Sequence, residues 1–223
     1  MYRAYLALKK YGIVRDEIGP NSNVLLQPLK TLSAFLQSAN NPSKKAEIVS
    51  QVENQVQSGD AANSTSILIN ATVLYYEENY EMALKVLHAA PSDHLESMAL
   101  RLQCLLRMDR VDLAKKELKT MQEKDDDATL TQLAQAWVNM HIGGDKIQDA
   151  YYIYQELIDK YGSTPLLLNG QAASYIGQEK FEEAEAALQE AVERDPNNVD
   201  TLINLIVLSQ QTGKPTEVCT IFK

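Results

Sequence analysis

Three histidines, His88, His94 and His141, and two cysteines, Cys104 and Cys219, are the residues of this 223-residue chain best suited to hold a metal or start covalent chemistry. A helical metal site would need a second ligand about one turn away. None of the histidines has one, and none lies in an HExxH pattern. The cysteines stand far apart in neither a metal-type nor a redox-type spacing, so two reduced, partly buried thiols are expected. Gly143-Gly144 follows no strand, and no GxGxxG, Walker or GxSxG sequence occurs, so no phosphate cradle or nucleophile elbow is expected. The carboxylates Glu182, Glu183 and Glu190 alternate with alanines, which reads as a solvated helix face and not as a general acid and base. No catalytic residue, no metal and no cofactor is expected.

The elements that would position such groups are helical. Hydrophobic residues make up 45% of the chain, against nine glycines and seven prolines, too few for a sandwich or barrel with many tight turns. Thirty acidic and 21 basic side chains leave a net charge of −9, which argues against nucleic acid or an anionic membrane surface as direct partner. No apolar run is long enough to span a bilayer, and MYRAYLALKKYG is interrupted by charge too early for a signal peptide. The sequons at Asn63 and Asn70 are therefore expected to be chance matches on a helix and its approach.

The helices repeat. Residues 165–196 carry one apolar stripe at Leu168, Ala172 and Tyr175, a break at Gly177, and a second stripe at Phe181, Ala184, Leu188 and Ala191 before Asp195-Pro196. A shift of 34 residues aligns Ile147, Phe181 and Pro215; Ala150, Ala184 and Val218; Tyr154, Leu188 and Phe222; and Ala134, Leu168 and Leu202. Gly143-Gly144, Gly177 and Gly213 fall between paired helices. That period on a helical hairpin is the tetratricopeptide repeat. The small residue recurs at Ala83, Ala114, Ala150 and Ala184, where the second helix must cross the first closely; Asp125-Asp126-Asp127 is the expected insertion. Residues 2–18 and 24–57 read as two further pairs. The expected fold is all-α: an α-solenoid of stacked helical hairpins forming a single domain over 1–223, about seven in number, the last stopping at Lys223. In this register His141 takes the slot of Tyr175 and is expected to pack as an imidazole and not to bind metal; Trp137 is expected in the core.

Such a stack presents its first helices as an inner wall. Those at 129–141, 165–176 and 199–210 contain no Lys or Arg, so the wall suits an apolar or neutral segment, and an acidic tail poorly. Helical spacing turns Gln132, Gln135, Asn139, Leu166, Asn169, Ala173, Ile176, Ile203 and Val207 toward that wall, with some of them packing against the next repeat instead. A peptide-binding adaptor or co-chaperone is the alternative reading.

Local sequences add a resemblance. Tyr2–Gly12 (YRAYLALKKYG), Met108–Met121, Asp127–Leu157 and Thr164–Pro215, the last including GQAASYIGQEKFEEAEAALQEA, are similar to the epsilon subunit family of coatomer over essentially the whole chain. The resemblance implies a non-enzymatic, all-helical subunit of a cytosolic vesicle coat on Golgi membranes. It further implies that the repeats clasp the C-terminal region of the alpha subunit and meet other coat subunits through it, in Golgi-to-ER and intra-Golgi transport. Membrane association would then be indirect, through the coat, and no nucleic acid is involved. On that resemblance the chain is expected to be shortened at both ends relative to the family, leaving Ile221 and Phe222 uncapped.

Overall fold

The computed structural model describes residues 1–58, 63–91 and 94–213; Pro215, Val218, Cys219, Ile221 and Phe222 lie outside the described residues. Among the described residues there are thirteen α-helices and no strand. They are α1 (Tyr2–Ala7), α2 (Tyr11–Glu17), α3 (Gln27–Gln37), α4 (Pro42–Ser58), α5 (Ser64–Tyr76), α6 (Tyr80–Leu87), α7 (Leu95–Arg107), α8 (Val111–Lys124), α9 (Thr129–Ile142), α10 (Lys146–Tyr161), α11 (Pro165–Gly177), α12 (Phe181–Arg194) and α13 (Val199–Thr212). The chain forms two compact units, Met1–Glu117 and Leu118–Lys223.

In the first unit α2 and α3, α5 and α6, and α6 and α7 pack side by side. Their apolar faces make one core around Val14, Ile18, Leu32, Phe35, Val52, Leu74 and Leu87. In the second unit α9 packs on α10, α10 on α11, and α11 on α12 and α13. Apolar cores among the described residues include two here. Leu133, Ala136, Ala150, Tyr154, Leu157 and Leu167 form one, and Ala172, Ala184, Ala187, Leu188 and Leu208 the other. Trp137 is half-buried against the first of these.

The repeat register survives in three dimensions. Ala83, Ala114, Ala150 and Ala184 are fully buried, and Leu87, Leu118, Tyr154 and Leu188, four residues on, are buried too. Glycine supplies close approach at one further place. A Cβ added to Gly170 on α11 would overlap the Tyr154 ring of α10, so only hydrogen lets that ring come against the helix backbone.

Within four pairs the turn is closed in one way. Lys9, Glu78, Asp109 and Glu179 each hold a left-handed backbone, with φ of 58°, 59°, 57° and 61°. In each case the next N–H reaches back to a carbonyl five residues earlier, as Lys180 N does to Tyr175 O at 3.0 Å, and the left-handed residue bonds three back. This is the Schellman closure, made without glycine. The α9–α10 turn instead uses Gly143 at φ 76°. Gly177 is not the break expected from the sequence: it is the last residue of α11, set beside Ile147, and the turn follows it. Between pairs, side-chain caps start α5, α11 and α13, where Asn63, Thr164 and Asn198 accept from the N–H three residues on, as Asn79 does at the start of α6; α7 and α9 start without one.

A candidate partner-binding wall on the first helices

The residues that could do chemistry come first. His141 is exposed, and its Nδ1 lies 2.9 Å from the carbonyl of Trp137, one turn back on its own helix. The packing role expected for it is therefore corrected: α9 runs only one residue further, and its last turn opens to solvent. His94 Nδ1 sits 2.6 Å from Ser97 Oγ at the start of α7. Among the described residues no group of three His, Cys, Asp or Glu side chains is placed to hold a metal. Glu182 and Glu183 are exposed; Glu190 accepts from Ser163 and Arg194, which hold its carboxyl below the usual range.

Cys104 is fully buried in the first core, and burial pushes its thiol up to about 12. The native chain is accordingly expected to resist alkylation at Cys104 at about pH 8, and urea to expose it. A raised folded value in an acid favours the neutral form, so this group's contribution to stability is complete below the unfolded value of 9.0 and fades as pH rises toward about 12. Peptide mapping after alkylation checks the first point; labelling of native Cys104 as fast as unfolded would contradict it.

The wall residues fall into two groups. On α9, Gln132 is half-buried with its Oε1 lacking a hydrogen-bond partner, Gln135 accepts from Gln122 at 3.4 Å, and Asn139 is buried. On α11, Asn169 is buried between α11 and α13. Its Nδ2 donates to Thr201 Oγ1 and to the Pro165 carbonyl, each at 2.8 Å, and its Oδ1 accepts from Asn204 at 3.0 Å. Ile176 packs partly against the Ala172–Leu188–Leu208 core, and Ala173 is half-buried. Open to solvent are Leu166 at 62%, Ile203 at 51% and Val207 at 37% relative exposure. Sequence spacing did not single out Val199 and Ile206, which share the exposed stripe of α13 with Ile203 at four- and three-residue spacing.

No described helix is long and apolar enough to cross a membrane. What the second unit offers is a first-helix surface free of Lys and Arg, with Leu166, Ile203, Ile206 and Val207 among its exposed positions and hydrogen bonds where it is closed. Such a surface suits a protein partner.

Paired helices, four of the pairs with a buried alanine at the crossing, stacked on one another within each unit, define an all-α tetratricopeptide-type repeat protein. A tetratricopeptide repeat protein of Parabacteroides merdae has the same fold, with a TM-score of 0.69 at 14% identity, over 96% of this chain and 84% of that one. The family is more specific than the fold. The family model described as coatomer epsilon subunit matches residues 1–222. Coatomer subunit epsilon-1 of Arabidopsis thaliana is 40% identical over 96% of this chain and 72% of its own length. Coatomer subunit epsilon of Dictyostelium discoideum is 34% identical over 100% of this chain and 75% of its own. The chain belongs to the coatomer epsilon subunit family and is a component of that vesicle coat.

Proposed function

We propose that the chain is a non-enzymatic structural subunit whose α9–α11–α13 wall receives the C-terminal region of the coat's alpha subunit and stabilises it. Other coat subunits are reached through that contact. The subunit works from the cytoplasm at the Golgi membrane and on coated vesicles, in retrieval to the endoplasmic reticulum and in transport within the Golgi. A net charge of −9 disfavours direct contact with anionic headgroups, so its membrane association runs through the coat.

One observation carries the reading. The three first helices carry no Lys or Arg, and two of them, α11 and α13, expose Leu166, Ile203 and Val207, which suits an apolar helix face and cannot clamp a carboxylate. The exposed residues are the contacts; Gln132, Gln135, Asn139, Asn169, Ala173 and Ile176 shape the wall behind them.

Val207→Asp is expected to bury an unpaired charge under the partner and weaken binding by about 3 kcal/mol or more. Because Val207 is partly exposed in the free chain, the circular-dichroism melt should barely change. Glu182→Lys on α12 should leave binding unaltered. Titration calorimetry against the C-terminal region of the alpha subunit, at fixed salt, reads the difference. Parent-like binding by Val207→Asp together with loss in Glu182→Lys would move the partner to the opposite helices.

A further inference from the structure

Asn169-Gly170 is the single Asn-Gly pair in the sequence, and it stands in the middle of α11. In a mobile chain this dipeptide destroys itself. The Gly backbone nitrogen, losing its proton, attacks Asn Cγ; a C–N bond closes a succinimide, and the side-chain nitrogen leaves as ammonia. Water then opens either ring carbonyl, giving aspartate or isoaspartate. The net reaction consumes one water and releases one ammonia, with no oxidant or enzyme.

The fold blocks the first step in three ways. Gly170 lies within the helix, where its N–H is committed to the backbone ladder and helical dihedrals hold its nitrogen away from Cγ. The carboxamide is fixed at both ends, donating to Thr201 Oγ1 and the Pro165 carbonyl and accepting from Asn204. The Tyr154 ring lies against the Gly170 Cα, so the backbone has no room to swing outward.

The product would not fit the site that protected the reactant. An aspartate in place of Asn169 has no N–H to give Thr201 and Pro165. It would also put a charge where the residue is 7% exposed, facing the Asn198 oxygen. Isoaspartate would lengthen the backbone as well and break the helix. We infer that Asn169-Gly170 is a conformation-gated deamidation site: silent while α11 is wound and α13 is docked on it, reactive once this joint opens and α11 unwinds, and incompatible with redocking after reaction. The chain thus carries a chemical record of time spent open at this joint.

The test follows Asn169 by peptide mass spectrometry in the full chain, in mildly alkaline buffer with and without urea. Conversion to aspartate and isoaspartate is expected in urea, and to be at least about 100-fold slower in the native chain, the factor set by local opening. Equal rates, or no conversion in urea, would overturn the inference. Asn204→Ala, which removes only the donor to Oδ1, should speed native conversion and leave the urea rate alone; an unchanged native rate rejects the hydrogen-bonded lock. Asn169→Asp made directly should raise amide hydrogen exchange in α13 while α9 and α10 stay protected. Parent-like protection of α13 would show that the product redocks and refute the irreversible step.

Discussion

Tyr154→Ala is expected to lose about 3–5 kcal/mol of folding stability, the range for removing a large buried ring. The ring is 4% exposed, lies against the Gly170 backbone, and joins the Leu133–Ala150–Leu157–Leu167 core. Burial pushes its hydroxyl up to about 12. Removing the ring would therefore open a cavity between two helix pairs. Tyr154→Phe keeps that space filled, removes only the hydroxyl, and should cost only about 1 kcal/mol. Urea titration by circular dichroism reads both, compared at equal m-value because stacked repeats need not unfold in one step. A loss in Tyr154→Ala no larger than in Tyr154→Phe would mean that the ring does not bridge the pairs.

The second large effect is expected from Ala184→Leu. Ala184 is fully buried on α12 where it crosses α11, and three added carbons must force the helices apart or push side chains off rotamer. Overpacking of this kind typically costs about 1–3 kcal/mol. Ala186, two residues on, faces solvent on the same helix, and Ala186→Leu should stay within about 0.5 kcal/mol of the parent. An unchanged or raised melting temperature in Ala184→Leu would disprove the close crossing.

These two sites also show how far the sequence could be read. The alanine register at 83, 114, 150 and 184 is legible because close crossing leaves one permitted size at a fixed interval, and all four are buried. His141 breaks from the same logic. A register locates a slot, but α9 ends before its neighbours can cover that slot. The wall is legible only as a set of faces. Helical spacing puts Asn169 and Ile203 at corresponding positions one repeat apart, yet the first is closed by Thr201 and Asn204 and the second stays open. Which face acquires a neighbour depends on the packing angle between pairs, and no residue type encodes that alone. The Tyr154–Gly170 contact is hidden in the sequence because its signal is an absence: a missing methyl group in a helix that otherwise reads as apolar.

The four Schellman turns bear on which parts of the chain can drift. A left-handed turn is ordinarily a place where replacement is restricted, since glycine alone adopts it freely. Here Lys9, Glu78, Asp109 and Glu179 occupy it, two acid types and a base, all exposed to solvent, while the closure itself is made by main-chain N–H and C=O groups. The backbone keeps the geometry and asks nothing of the side chain beyond tolerating the dihedral. Such positions can change sign of charge without disturbing a helix crossing, so the rim of these four pairs can be rewritten while their buried faces are left alone.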